Sequence, residues 1–113
     1  MLTPCIFCQI IAGESPARIV HRDDEVIAIH DIMPQAPTHI LVLPVRHIAS
    51  LAETQDGDGD LLGRLRQRAV ALAREAGLPG YRLVINTGAQ GGQTVGHLHI
   101  HLLGGRQMTW PPG

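Results

Sequence analysis

Three histidines stand at alternate positions near the end of the chain, His97-Leu98-His99-Ile100-His101-Leu102-Leu103. Side chains two apart on an extended segment lie about 7 Å from each other on one face, so the spacing predicts a strand with a row of three imidazoles, backed by Leu98, Ile100 and Leu102 in a core. An imidazole offers a donor and an acceptor nitrogen near neutral pH and serves as metal ligand, base or nucleophile. Buried without partners, each ring would cost about 1–3 kcal/mol. Three readings stand side by side. The histidines face solvent by chance; or His97, His99 and His101 join His39 in a catalytic metal centre; or one neutral imidazole attacks phosphorus while its neighbours orient it and donate to phosphoryl oxygens. A hydrolytic metal centre often includes a carboxylate, and none follows Glu75.

The segment Gly88-Ala89-Gln90-Gly91-Gly92-Gln93-Thr94-Val95-Gly96 leads directly into the histidines. It lacks the lysine of a P-loop, but inward-turned backbone N–H groups, the Gln93 amide and the Thr94 hydroxyl are expected to form an anion nest. A phosphate cradle beside an imidazole favours phosphoryl or nucleotidyl transfer over a metal centre. The pair Cys5-Ile6-Phe7-Cys8 is half of a zinc site. A thioredoxin-like redox pair would follow a strand, and the residues before Cys5 do not read as one.

These residues must be held by a small scaffold. At 113 residues the length fits one domain, 1–113, and 44% apolar with 17% charged residues argues against disorder and coiled coils. Phe7, Tyr81 and Trp110 are the only aromatics, so the core is expected to be aliphatic. A formal charge of −1 excludes the electrostatic footprint of a protein that grips long nucleic acid. Two cysteines are too few for a secreted disulfide scaffold, and neither a membrane span nor a basic-then-apolar leader is evident. A cytoplasmic location is expected.

Apolar residues at 6, 7, 10 and 11 predict a short helix over Pro4–Ile11 that ends at Gly13. Ile19–His21 and Val26–His30 read as a hairpin, Asp31–Thr38 as a loop stiffened by Pro34 and Pro37, and His39–Leu43 as a strand. Gln55–Asp60 is a polar turn suited to starting a helix. From Leu61 the apolar residues 61, 62, 65, 69, 72, 73 and 76 follow a 3.6-residue period up to Gly77. Tyr81–Thr87 and His97–Leu103 read as strands, and Gly104–Gly113 as an irregular tail. The sum is an α+β fold, an antiparallel sheet of about five strands with two α-helices outside.

His97-x-His99-x-His101-Leu102-Leu103 resembles the signature of the histidine triad family. Asp31-Ile32-Met33-Pro34-Gln35-Ala36-Pro37-Thr38-His39, Gly91-Gly92-Gln93-Thr94, Gly104-Gly105-Arg106-Gln107-Met108 and Trp110-Pro111-Pro112-Gly113 look like its Hint branch, so the resemblance spans nearly the whole chain. It implies a HIT-like homodimer whose sheet extends across the interface, with the tail 104–113 at that interface and Trp110 reaching or capping the other protomer. It implies a nucleotide-binding hydrolase that cleaves purine nucleoside (adenosine) 5′-phosphoramidates through a nucleotidyl-histidine, with AMP as a ligand and no cofactor for catalysis. His99 would be the nucleophile, His101 would contact the α-phosphate, and His39 and His97 would support them. Asp31 and Ile32 would hold ribose and base, and Asn86, Gly92, Gln93 and Thr94 the phosphate side; many relatives have Ser where Thr94 stands. Some members with this cysteine pair hold structural zinc with two histidines, which implies Cys5, Cys8, His47 and His97 here, with His97 then orienting His99 through the backbone; two free thiols are the alternative. The rival reading is a non-catalytic nucleotide sensor acting through protein partners.

Overall fold

The computed structural model describes residues 5–113. Pro4, the expected start of the first helix, lies outside them. In chain order the elements are α1 (Ile6–Ile11), β1 (Ile19–Arg22), β2 (Val26–His30), β3 (Thr38–Pro44), α2 (Gly59–Glu75), β4 (Tyr81–Val84) and β5 (Ile100–Gly104), with single 3-10 turns at Leu51–Glu53 and Asp56–Asp58. The strands form one sheet in the order β1-β2-β3-β5-β4, every neighbouring pair antiparallel. This is the α+β architecture expected.

Both faces of the sheet are covered, which is why β2 and β3 are apolar almost throughout rather than alternating. Val26, Ala28, Ile40, Val42, Ile100 and Leu102 pack with Leu65, Ala69 and Leu72 of α2. On the opposite face Ile27, Ile29, Leu41 and Leu43 meet Phe7 and Ile10 of α1. As expected, Leu98, Ile100 and Leu102 are buried. β5 therefore turns its odd-numbered side chains to the α1 side.

Local chemistry explains the ends of the elements. The Cys5 sulfur accepts from Cys8 N–H at 3.3 Å and caps α1, and Gly13 leaves it at φ +78°. The Asp23 carboxylate accepts from the N–H groups of Glu25 and Val26, both at 2.9 Å, and closes the β1–β2 turn. Gln55 and Asp58 form a capping box ahead of α2, so the helix begins at Gly59, within the polar turn that precedes the apolar period from Leu61. Gly77, at φ +66°, follows its end.

Two strands are shorter than their sequence predicts. β5 begins at Ile100, not His97, because its partner β3 ends in Pro44, which has no N–H for the ladder. Leu98 N–H instead donates to Ile48 O at 2.7 Å, and the His97 ring takes the Pro44 carbonyl. β4 ends at Val84, paired with His101, rather than at Thr87, because β5 offers little beyond that point. Among the described residues, no helix is long and apolar enough to cross a membrane.

Candidate active site

His99 and His101 lie on the α1 side of the sheet, ring centroids 4.9 Å apart. The His97 ring turns elsewhere, so the expected row of three imidazoles is a pair plus one. Hydrogen-bond partners fix where each neutral ring carries its proton. His99 Nδ1 lies 2.7 Å from His97 O; a carbonyl only accepts, so Nδ1 donates and the Nε2 lone pair is left for chemistry. Gln35 N–H donates to His39 Nδ1 at 3.0 Å, which puts the His39 proton on Nε2. That N–H reaches His101 Nδ1 at 2.9 Å and Asp31 Oδ2 at 3.3 Å. His101 in turn carries its proton on Nε2, a buried atom without a hydrogen-bond partner among the described residues.

Electrostatics favour the neutral forms of His101 and His39. Burial, with His99 and His39 adding to it, pushes His101 down to about 4. His39 is also lowered by burial, against the pull of Asp31. Asp31, His39 and His101 form a cluster of metal-ligand type, but the Gln35 amide keeps the His39 proton on the nitrogen that would have to ligate. The catalytic metal reading of the histidines loses its support there.

His99 and His101 line a cavity of about 290 Å³. Its apolar wall includes Phe7, Ile10, Ile29 and Leu41, while Asp31, Ile32 and Thr94 also border it. Ile32 is 92% exposed and projects at the rim. Asp31 also accepts from Met33 N–H at 2.8 Å, which shapes the loop before β3.

The glycine-rich loop departs from the expected anion nest. The N–H groups of Gly91, Gly92 and Gln93 donate to Gly88 O, Ala89 O and Gly88 O, each at 3.1 Å. The Gln93 amide donates to Ala49 O at 2.7 Å and Val95 O at 3.0 Å and accepts from Gly88 N–H at 3.0 Å. Successive turns take up the N–H groups of Gly88, Gly91, Gly92 and Gln93 and the Gln93 amide, so this part of the loop braces the segment that carries Thr94 to the cavity. Asn86, Gly92 and Gln93 do not line the cavity.

A second constellation sits behind His99. His97 Nε2 donates to Pro44 O at 2.8 Å, leaving the Nδ1 lone pair 3.3 Å from Cys5 Sγ, 3.6 Å from Cys8 Sγ and 3.2 Å from His47 Nδ1. Cys8 Sγ is 3.3 Å from His47 Nδ1. Tetrahedral zinc, with bonds of about 2.0–2.3 Å, sets its ligand atoms about 3.3–3.8 Å apart. Burial and the adjacent Cys5 sulfur push the Cys8 thiol up to about 11, and a cation between the sulfurs is what favours the deprotonated pair. The four residues fit zinc.

A family model described as scavenger mRNA decapping enzyme C-term binding matches residues 4–110. The crystal structure of a HIT family hydrolase from Legionella pneumophila superposes with a TM-score of 0.95 at 53% identity, covering 97% of this chain and 100% of that one. The chain belongs to the histidine triad family. Its similarity to relatives places it in the Hint branch. An Arabidopsis thaliana protein named adenylylsulfatase HINT1 is 49% identical, covering 98% of this chain and 78% of its own. A 14 kDa zinc-binding protein of Zea mays is also 49% identical, covering 98% and 89%.

In this histidine triad hydrolase the sequence did not announce the role of α1 as a cavity wall. Phe7 lies edge-on to both His99 and His97, at centroid distances of 5.1 and 5.8 Å. Its position between Cys5 and Cys8 was the available signal, since a cluster that gathers the cysteines also fixes the residue between them. Trp110 is 81% exposed in the single chain.

Proposed function

We propose that this histidine triad protein hydrolyses the phosphorus–nitrogen bond of purine nucleoside 5′-phosphoramidates, adenosine 5′-phosphoramidates above all, through a nucleotidyl group carried on His99. The observation that carries the reading is the bond from His99 Nδ1–H to His97 O at 2.7 Å, which fixes the proton on Nδ1 and leaves Nε2 as the nucleophile beside an apolar cavity. Attack by Nε2 on the α-phosphorus forms a nitrogen–phosphorus bond. The substrate bond breaks with its electron pair going to the amine, which takes up a proton. The positive charge on His99 is met by the His97 carbonyl. Water then attacks phosphorus, AMP leaves, and the imidazole is restored.

The buried Nε2–H of His101 supplies a preorganised donor for a phosphoryl oxygen, and Thr94 stands at the same wall. His39 fixes the His101 proton. In this reading Asp31 takes the ribose hydroxyls and Ile32 with the apolar wall takes the base, since all border the cavity. No step draws on a metal; zinc at Cys5, Cys8, His47 and His97 would serve structure. The relative named adenylylsulfatase supports a second substrate of the same chemistry, adenylyl sulfate, with sulfate as the leaving group.

The test is turnover of adenosine 5′-phosphoramidate and adenylyl sulfate by the wild type and by His99→Ala, with intact mass on rapidly quenched wild type. Loss of turnover in His99→Ala, by about 10³-fold or more, and a transient nucleotidyl adduct are expected. A wild type that binds AMP and cleaves neither substrate would make it a nucleotide sensor.

A further inference from the structure

β5 and β3 run antiparallel with Gly104 opposite Thr38, so the chain leaving β5 lies beside the loop that enters β3. Gly105 packs there against Pro37, so closely that a Cβ on it would stand 2.8 Å from the Pro37 Cβ. The next residue, Arg106, spends its guanidinium on backbone: Nε donates to Gln35 O at 3.1 Å and Nη1 to Gln107 O at 3.4 Å. It forms no ion pair with a carboxylate among the described residues. Gln35 is held a second time by its own amide, which donates to Met33 O at 3.0 Å, and it lies between Pro34 and Pro37, which restrict the backbone around it.

This clamp sets the direction of a relay. Gln35 N–H donates to His39 Nδ1 at 3.0 Å, and His39 Nε2–H donates to His101 Nδ1 at 2.9 Å. The series ends on His101 Nε2–H, buried and without a partner among the described residues. A neutral imidazole donates from one nitrogen and accepts at the other, so two in series can point either way. A backbone N–H only donates, and here it stands at the outer end. Reversed, the relay would set a His101 lone pair against phosphoryl oxygens. Asp31 Oδ2, 3.3 Å from His39 Nε2, favours the observed direction from a longer distance.

We propose that Arg106 and Gln35 are positioning residues for the phosphoryl donor: Arg106 holds the Gln35 backbone where its N–H keeps the His39–His101 relay pointing into the cavity. The proposal rests on the functional reading given above. Arg106 is exposed and does not line the cavity, so it acts through Gln35 alone. Removing a transition-state donor outright costs about 10²–10³ in kcat. A donor that is present but correctly directed in only part of the molecules should cost about tenfold.

The experiment uses the zinc-loaded full chain labelled with 15N-histidine, as wild type, Arg106→Met and Arg106→Lys. Long-range 1H–15N correlation reports the His39 and His101 tautomers, and steady-state kinetics use adenosine 5′-phosphoramidate. The wild type should show Nε2–H alone on both rings. Arg106→Met should show a second, Nδ1–H population with kcat lowered by about tenfold and KM changed less, because the donor meets charge that grows in the transition state. Arg106→Lys, which keeps a donor for Gln35 O, should recover most of both. Unchanged tautomers in Arg106→Met, a shifted tautomer with unchanged kcat, or a lysine variant no better than methionine would each overturn the proposal. So would loss of far-ultraviolet circular dichroism in Arg106→Met, since Arg106 would then be a requirement of folding. The tautomers are read without turnover, so a wild type that cleaves nothing while its variant switches tautomer refutes the functional reading and leaves the relay standing.

Discussion

Burial beside His99 and His39 holds the His101 ring at about 4, against 6.5 for a free histidine. Between those two values the unfolded chain binds a proton that the folded chain does not, so stability is full above about 6.5, falls as pH drops toward about 4 and levels off below it. Burial of His39 adds in the same sense. Thermal melts of the zinc-loaded protein should show Tm falling between about pH 6.5 and about pH 4, with a shallower slope in His101→Gln. The sequence named these histidines but not their protons. Alternate spacing is visible in the chain, whereas a tautomer is set by whichever carbonyl or amide the fold brings to each nitrogen. Gln35 N–H and His97 O make those choices here.

Among the elements, the loop before β5 was read for its glycines, and its composition suits either an anion nest or a run of tight turns. The turns win because Gln93 ties the loop to Ala49, Val95 and Gly88. Gln93→Ala should cost about 1–2 kcal/mol, at about 0.5–1.5 kcal/mol per bond with partial exposure, and raise KM more than it changes kcat by loosening Thr94; denaturant melts and steady-state kinetics check both. At Gly91 an added Cβ would run into the backbone carbonyl of Thr87. Backbone cannot step aside as a side chain can, so Gly91→Ala should lower stability by about 1–3 kcal/mol. The 3.6-residue period of α2 was legible, and Leu65, fully buried against the sheet, should cost about 3 kcal/mol as Leu65→Ala.

For the whole molecule, the sheet order leaves β4 as an edge strand, and an edge with unpaired backbone groups invites a second strand. A homodimer with the sheet continued across it is therefore proposed, and light scattering should return twice the chain mass of 12.2 kDa. A monomer would remove both the continued sheet and any role for Trp110 across an interface. By itself the sequence determined the residue types for the chemistry, the α+β class and the apolar faces, because periodicity records which side of an element is buried. The resemblance carried by its motifs pointed to the cysteine–histidine set. Only the tertiary structure decided that His97 leaves the row, that α1 walls the cavity and that the glycine loop closes on itself. Those outcomes depend on groups such as Cys5 and His97, which lie 92 residues apart in the chain yet 3.3 Å apart in space, and no local pattern encodes a contact made only when the sheet has assembled.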